Sequence, residues 1–124
     1  MIAEELIANT ITPLKVSDSI QKAEHRMAEF RVRHLPIVKK HQFLGLLSEE
    51  DISQTTDFNV AVGTLNLSLI NPFVYEDQHI YEVVRTFFEQ KLSVLPVLNY
   101  DMDYLGLISQ QALTESFAKI VSVS

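Results

Sequence analysis

The chain carries the same short pattern in its first and second halves. The first copy reads HLPIV at residues 34–38, then a polar turn, then FLGLLS at residues 43–48. The second copy reads VLPVL at residues 94–98, then a turn, then YLGLIS at residues 104–109. Matched runs in the same order indicate a tandem duplication of one supersecondary unit. The two halves should therefore fold alike and share one core.

The two copies differ at the point where each pattern ends. The first copy closes with SEED at residues 48–51, and the second closes with SQQA at residues 109–112. Only the first copy therefore has a carboxylate, that of Asp51, at the third position after the serine. This difference between matched positions is the clearest functional clue in the sequence.

The composition indicates a globular protein. The 124 residues are 47% hydrophobic and 21% charged, which is enough to bury a core of one domain. Because the chain has no cysteine, disulfides and thiolate metal sites are excluded. The net charge of −6 argues against nucleic acid and against anionic membrane surfaces as partners. The apolar runs are too short to span a bilayer and the N-terminus is acidic, so a cytoplasmic protein is expected.

Each half is predicted to have the element order β-α-β-β-α. The opening strands, at residues 13–16 and 72–75, start with proline, which is tolerated at the first position of a strand. The helices that follow have apolar residues at helical spacing through residues 20–30 and 80–88. The expected N-caps are one of Ser17, Asp18 and Ser19 in the first half and Asp77 in the second.

A hairpin of buried strands and a closing helix complete each half. The hairpins are indicated by near-continuous apolar runs joined by polar turns at residues 39–42 and 99–103. Ser48 and Ser109 follow the second strand of each hairpin, where each is a good N-cap for a closing helix. These closing helices are expected to end near Asp57 and Ile120.

The remaining segments predict a leading helix at residues 4–8 and an irregular link at residues 55–68. The first repeat, with this helix and the start of the link, then takes residues 1–62, and the second takes residues 63–124. A unit of this shape covers only one face of its small sheet, so the repeats should pack sheet against sheet as a pseudo-two-fold pair. The predicted fold class is α+β, with a cleft between the repeats.

With these motifs in view, the chain resembles a tandem pair of CBS domains, small regulatory modules named after cystathionine β-synthase. The likeness covers nearly the whole chain and rests on the Leu-Pro-Val-like strand, the Gly-Leu-(Leu or Ile)-Ser strand and the acid that follows. It implies clefts that, in many members, bind AMP, ADP, ATP or S-adenosylmethionine. It also implies a non-catalytic sensor that acts on a separate partner protein and that commonly forms a homodimer, a flat disc.

The resemblance places a ligand against the first repeat. Ser48 would contact the ribose or the phosphate, and Asp51 would accept hydrogen bonds from the ribose hydroxyls. The chemistry is reasonable, because a carboxylate can accept from two adjacent hydroxyls and a helix N-terminus attracts an anion. Gly45 would let the backbone approach the ligand. The other contacts that the resemblance implies are Leu46 at the adenine, Phe73 and Val74 from the other repeat, Arg33 near the phosphate, and Ser93 as a further phosphate contact.

Each of these assignments has a structural alternative. Ser48 with Asp51 also fits a variant of the capping box, which stabilises a helix without any ligand. Arg33 is equally consistent with an ordinary solvated side chain. Glu49 and Glu50 place negative charge beside the phosphate position, so AMP, adenosine and S-adenosylmethionine rank above ATP. Since Ala112 cannot accept a hydrogen bond, the cleft of the second repeat is predicted to be empty or weak.

The sequence offers little for catalysis. The four histidines fall on different predicted elements, and the three glycines are too far apart for a phosphate-cradling loop. His25 and Glu29 share a helix face, for which solvent exposure is a better explanation than a metal. The chain is therefore expected not to be an enzyme.

A scaffold is the serious alternative to a sensor. In this reading the nucleotide site has decayed, and the pair survives as a dimerisation or protein-interaction module. Apolar and aromatic residues such as Tyr100, Tyr104, Phe117 and Val121 could serve association. The homodimer is expected only because members of the family commonly form one. The sequence itself does not indicate which faces meet.

Overall fold

The computed structural model describes residues 1–8, 10–67 and 72–123. Within these residues, two 3-10 turns at Ala3–Leu6 and Val62–Thr64 accompany the helices and strands. The order of elements confirms two similar units of an α+β fold. The elements are α1 (Ile20–Phe30), β1 (His34–Lys39), β2 (Gln42–Ser48), α2 (Glu49–Ser53), β3 (Val74–Tyr75), α3 (Ile80–Gln90), β4 (Val94–Leu98), β5 (Tyr104–Ser109) and α4 (Gln110–Val123).

The two hairpins have the same pairing. Strands β1 and β2 form one antiparallel sheet, while β3, β4 and β5 form the other, with β3 parallel to β4. Each hairpin also has a register irregularity at the same place, between Ile37 and Val38 in the first and between Val97 and Leu98 in the second. An irregularity shared by both copies is a feature of the duplicated unit itself.

The core lies between the two sheets. All five residues of β4 are buried, as the continuous apolar run predicts for a strand covered on both faces. In β1 and β2, Leu35, Leu46 and Leu47 have no exposed surface. Strand β1 contacts β4, so the repeats pack sheet to sheet as expected from two units that each leave one face uncovered.

The opening strand of the first repeat is shorter than predicted. Of residues 13–16, only Leu14 pairs with β1, through a parallel bridge to Ile37. The strand stops because the carboxylate of Asp18 accepts a 2.8 Å hydrogen bond from the backbone N–H of Lys15, which turns the chain. In the second repeat, Gln78 Oε1 accepts from the N–H of Tyr75 in the same way, and β3 is likewise short.

The N-caps of the long helices are partly as predicted. Ser19, one of the three candidates, caps α1 and accepts from the N–H of Lys22. The prediction of Asp77 for α3 was wrong, because His79 is the cap and its Nδ1 accepts from the N–H of Tyr81. Asp77 instead accepts a 2.6 Å hydrogen bond from the hydroxyl of Tyr100, which the sequence pattern does not reveal.

Three predicted helix lengths were also wrong. The leading helix is a 3-10 turn at Ala3–Leu6 rather than a helix over residues 4–8. Helix α4 continues past residue 120 to Val123. Helix α2 ends at Ser53 rather than near Asp57. The chain that follows returns to α1, where Val60 and Phe58 accept hydrogen bonds from the N–H groups of Ile20 and Gln21.

The segment that precedes each repeat pairs with the start of the long helix in the other repeat. Ile2 bridges to His79 at the start of α3, and Ala61 bridges to Ser19 at the start of α1. Over its described residues 55–67, the predicted irregular link therefore includes a bridge and the 3-10 turn at Val62–Thr64, and residue 68 lies outside the described residues. The N-terminal segment thus completes the second repeat, and the link completes the first.

Candidate functional site

Ser48 and Asp51 form a reciprocal cap at the start of α2. The N–H of Ser48 donates to Asp51 Oδ2 over 3.0 Å, and the N–H of Asp51 donates to Ser48 Oγ over 3.1 Å. Both side chains are buried. The capping box considered from the sequence is therefore present, with aspartate in place of the usual glutamate or glutamine.

A cleft of about 420 Å³ lies beside this cap. We call it the first-repeat cleft; its lining residues are Arg33, His34, Ser48, Glu49, Glu50, Gln90 and Lys91. The first five belong to the first repeat, and the last two come from the end of α3 in the second repeat. The cleft therefore lies between the repeats, as expected for a sheet-to-sheet pair.

Lys91 was not predicted as a site residue. It is the C-cap of α3, with a left-handed backbone (φ 52°), and Arg31 ends α1 with the same backbone conformation (φ 56°). A basic residue at matched positions of the two repeats was the sequence signal that could have identified it. With Arg33, Lys91 brings a second cation to a cleft that also contains Glu49 and Glu50.

A hydrogen-bonded histidine and serine connect the two repeats beside the first-repeat cleft. His34 Nδ1 lies 2.8 Å from Ser93 Oγ, and the N–H of Ser93 donates to the same nitrogen over 3.2 Å. The N–H of Arg33 donates to Ser93 Oγ over 3.0 Å. Since the backbone N–H of Ser93 can only donate, Nδ1 of His34 is an acceptor and the ring carries its proton on Nε2.

Burial holds His34 in the neutral form. Desolvation, with a smaller effect of the Arg33 guanidinium, lowers the pKa of His34 to about 4, although the Asp51 carboxylate acts in the opposite direction. Sequence reasoning missed this residue as a member of the site. The signal was a polar side chain at the start of an apolar strand, where the other repeat has Val94.

The second repeat has a matching cleft, which is larger at about 560 Å³. We call it the second-repeat cleft; it is lined by Thr10, Ile11, Phe30, Arg31, Val32, Ser93, Ser109, Gln110, Gln111, Thr114 and Glu115. The N–H of Ala112 donates to Ser109 Oγ over 3.0 Å, which repeats half of the first cap. The other half is missing because alanine offers no acceptor. That this cleft is empty or binds a ligand only weakly stays a prediction.

The other residues that the resemblance implied lie in different surroundings. Arg33 lines the first-repeat cleft, and Ser93 lies behind it, bonded to His34. Leu46 and Val74 are fully buried in the core, and Phe73 packs edge-on against Tyr75 with ring centroids 5.3 Å apart. These last three residues do not line the first-repeat cleft. The expected contact of Leu46 with adenine, and the expected contacts of Phe73 and Val74 with the ligand, stay predictions.

Gly45 makes room for another part of the chain. A Cβ at this position would lie 2.5 Å from Cδ1 of Leu67. Gly45 and Leu67 also line a separate cavity of about 420 Å³ with Val16, Ile37 and Gly63. The missing side chain of Gly45 therefore serves packing of the link between the repeats.

Over the described ranges, two kinds of feature are absent. No helix there is long and apolar enough to cross a membrane. In the same part of the chain, no group of three or more His, Asp or Glu side chains is arranged to hold a metal ion.

Known structures share this fold over nearly the whole chain. A CBS domain pair/ACT domain protein from Thermotoga maritima superposes with a TM-score of 0.83 at 21% identity, covering 97% of this chain and 98% of its own. CBSX2, solved in complex with AMP, superposes with a TM-score of 0.75 at 21% identity, covering 96% of this chain and 97% of its own. At these identities the likeness establishes the fold alone.

A longer protein contains a similar segment. Homoserine O-acetyltransferase from Methanococcus vannielii is 22% identical over an alignment of 122 residues, and the match covers 93% of this chain. The chain spans 24% of the length of that protein.

The CBS domain family itself matches the chain twice, over residues 3–55 and 68–119. These two matches cover both copies of the repeated pattern and the paired sheets that they form. The chain therefore belongs to the CBS domain family.

Proposed function

We propose that this protein is a regulatory module that binds an adenosine-containing ligand in the first-repeat cleft and passes the signal to a separate partner protein. CBS domain pairs are generally regulatory rather than catalytic, and one protein of the same fold is known in complex with AMP. The observation that carries the proposal is the position of the Ser48–Asp51 cap. Ser48 lines an open cleft between the repeats, and Asp51, which does not itself line the cleft, is a buried carboxylate held by the backbone N–H of Ser48.

The size and charge of the first-repeat cleft favour a monophosphate. Its volume of about 420 Å³ falls within the range of roughly 300–1,000 Å³ for small-molecule pockets. Arg33 and Lys91 offset Glu49 and Glu50, so the lining has no excess positive charge for a triphosphate. AMP, adenosine and S-adenosylmethionine therefore rank ahead of ADP and ATP, and AMP is tested first because one protein of the same fold is known in complex with it. We propose that the bound ligand is a signal and that the protein requires no cofactor.

The test is calorimetric titration of the purified protein with AMP, ATP, adenosine and S-adenosylmethionine, repeated on Asp51→Ala. The proposal expects AMP to bind near one equivalent per chain and to be lost in the variant. Ser109→Ala is the matched control, because it removes half of a helix cap in the other repeat without changing Asp51. Equal loss of binding in both variants would assign the effect to helix stability rather than to ligand contact.

A second candidate function is a scaffold without a ligand. It is favoured by the reciprocal cap, which gives Ser48 and Asp51 a structural role of their own. No binding of any of the four compounds to a folded wild-type protein would favour this alternative. In either case we propose that the protein acts as a homodimer.

A further inference from the structure

The side chain of Ser93 is shared between the two repeats. Its hydroxyl oxygen accepts a 3.0 Å hydrogen bond from the backbone N–H of Arg33, and the hydroxyl donates to His34 Nδ1 over 2.8 Å. The hydroxyl is the donor in the second bond because Nδ1 also accepts from the N–H of Ser93. Ser93 is 6% exposed and His34 is 8% exposed. One buried hydroxyl therefore uses both its donor and its acceptor to hold the repeats together.

The backbone next to this hydroxyl holds the starts of the two closing helices. The carbonyl of Arg33 accepts a 2.9 Å hydrogen bond from the N–H of Glu49, the first residue of α2. The carbonyl of Ser93 accepts a 3.1 Å hydrogen bond from the N–H of Gln110, the first residue of α4. Arg33 and Glu49 line the first-repeat cleft, whereas Ser93 and Gln110 line the second-repeat cleft. Hydrogen bonds therefore lead from one cleft to the other.

The side-chain part of this connection does not follow from the duplication. Arg33 and Ser93 occupy matched positions, directly before β1 and β4, and their carbonyl bonds to α2 and α4 are matched as well. The next position is His34 in the first repeat and Val94 in the second. Because Val94 has no side-chain donor or acceptor, the reciprocal bond cannot form. The bond between His34 and Ser93 is therefore an addition to the repeated unit.

We propose that the His34–Ser93 bond couples the two clefts, so that a ligand in the first-repeat cleft changes the start of α4 in the second-repeat cleft. This inference rests on the ligand binding proposed above and adds the route by which the signal leaves that cleft. The second-repeat cleft is then the responding site, with or without a ligand of its own.

The connection is made or broken as a unit. The χ1 angle of a serine occupies one of three staggered rotamers, and in the present one the hydroxyl of Ser93 bonds to both Arg33 and His34. A turn to another rotamer would break both bonds at once and leave a buried hydroxyl without these partners, which is costly. Two discrete arrangements of this kind are what energetic coupling between sites requires.

A ligand in the first-repeat cleft can favour one of these arrangements. Arg33, His34 and Ser48 all line this cleft. A ligand shifts an equilibrium only by the difference in its affinity for the two states. Since the cleft has its observed shape when the bonds are made, AMP should bind that arrangement more tightly. The start of α4 should then open less often, because Ser93 holds the N–H of Gln110.

The first experiment needs no ligand. Urea unfolding gives the unfolding equilibrium constant for Ser48→Ala, for Ser109→Ala and for the double variant, which remove the caps of α2 and α4. Independent sites combine within roughly twofold in this constant, and we expect a departure of at least about fivefold. The departure should disappear when the cycle is repeated in His34→Val, which introduces the residue of the matched position. Additive caps in the wild-type background would overturn the coupling.

The second experiment measures hydrogen exchange at the Gln110 amide by NMR, without AMP and with saturating AMP. In the wild type, AMP should slow this exchange at least about threefold, because opening at Gln110 becomes rarer. The effect should be lost in His34→Val and kept in His34→Asn, since asparagine retains an acceptor for Ser93. Circular dichroism checks that each variant is folded.

The outcomes separate this inference from the proposed function. Equal slowing in the wild type and in His34→Val would overturn the role of the His34–Ser93 bond. A wild type that binds AMP without slower exchange at Gln110 would overturn the coupling. A wild type that binds no AMP would overturn the proposed ligand instead, and the ligand-free cycle of cap variants would still decide whether the starts of α2 and α4 are coupled.

Discussion

Ser93 Oγ lies 2.8 Å from His34 Nδ1, so the two repeats are joined by a buried hydrogen bond at the edge of the proposed ligand site. The bond requires a neutral imidazole, because Nδ1 also accepts from the N–H of Ser93. Protonation of His34 would remove this acceptor and place a charge in a region that is 8% exposed. The junction between the repeats is therefore sensitive to pH.

His34 should make the protein less stable as the pH falls below neutrality. The pKa of His34 is lowered from 6.5 to about 4 by burial. Its contribution to stability is fully present above pH 6.5 and is lost as the pH falls toward 4, because only the unfolded state binds the proton in this window. The loss should reach about 3 kcal/mol. Urea unfolding between pH 4.5 and 7.5 measures this slope.

The control for this prediction is His34→Asn. The asparagine oxygen can accept from Ser93, but the side chain does not titrate. The variant should therefore have a shallower dependence of unfolding free energy on pH in the same window. The same slope in wild type and variant would show that other groups, such as surface carboxylates, cause the effect.

Gly63→Ala should destabilise the fold more than Gly45→Ala. A Cβ on Gly63 would lie 2.9 Å from the backbone oxygen of Val16, which cannot move without shifting the chain, at a cost of about 1–3 kcal/mol. A Cβ on Gly45 would meet the tip of the Leu67 side chain, which can rotate. Thermal or urea unfolding of both variants gives the order. Leu67→Ala should relieve the Gly45→Ala variant, and failure to do so would place the strain elsewhere.

Ala112→Asp should complete the second cap. The new carboxylate would lie where it can accept from the N–H of Ser109, as Asp51 does from Ser48, and should stabilise the fold by about 0.5–1 kcal/mol. If the acid is also what the second-repeat cleft lacks, AMP stoichiometry should rise from one to two per chain. Adding Ser109→Ala should remove the stability gain, because the serine oxygen is the other half of the cap. A stoichiometry that stays at one would show that the acid is not sufficient for binding.

The repeated pattern predicted much of this structure because the elements that it predicts depend on residues close together in the chain. The hairpin runs and the serine caps follow from residues adjacent in the chain, and both hairpins, Ser48 and Ser19 lie as expected. Two of the features that the sequence did not reveal involve partners distant in sequence. The Asp77 carboxylate accepts a hydrogen bond from the Tyr100 hydroxyl, and residues after α2 accept hydrogen bonds from the first N–H groups of α1. No periodicity within a short window contains this information.

The site was predicted in part for the same reason. Ser48 and Asp51 lie within four consecutive residues, so the sequence alone predicted two roles for them. The structure confirms the helix cap, and the ligand contact stays a prediction. Lys91 and His34 become part of the site only when the repeats pack together, which brings the end of α3 to the start of β1. Comparison of the two halves could have identified these positions, because Arg31 matches Lys91 and Val94 stands where the first repeat has His34.

The most direct measurement of the central claim is a crystal structure of the protein with AMP. The account predicts AMP in the first-repeat cleft, with its ribose hydroxyls within hydrogen-bond distance of the Asp51 carboxylate and its phosphate near Arg33 and Lys91. AMP bound only in the second-repeat cleft beside Ser109, or no AMP in crystals grown at saturating concentration, would contradict it.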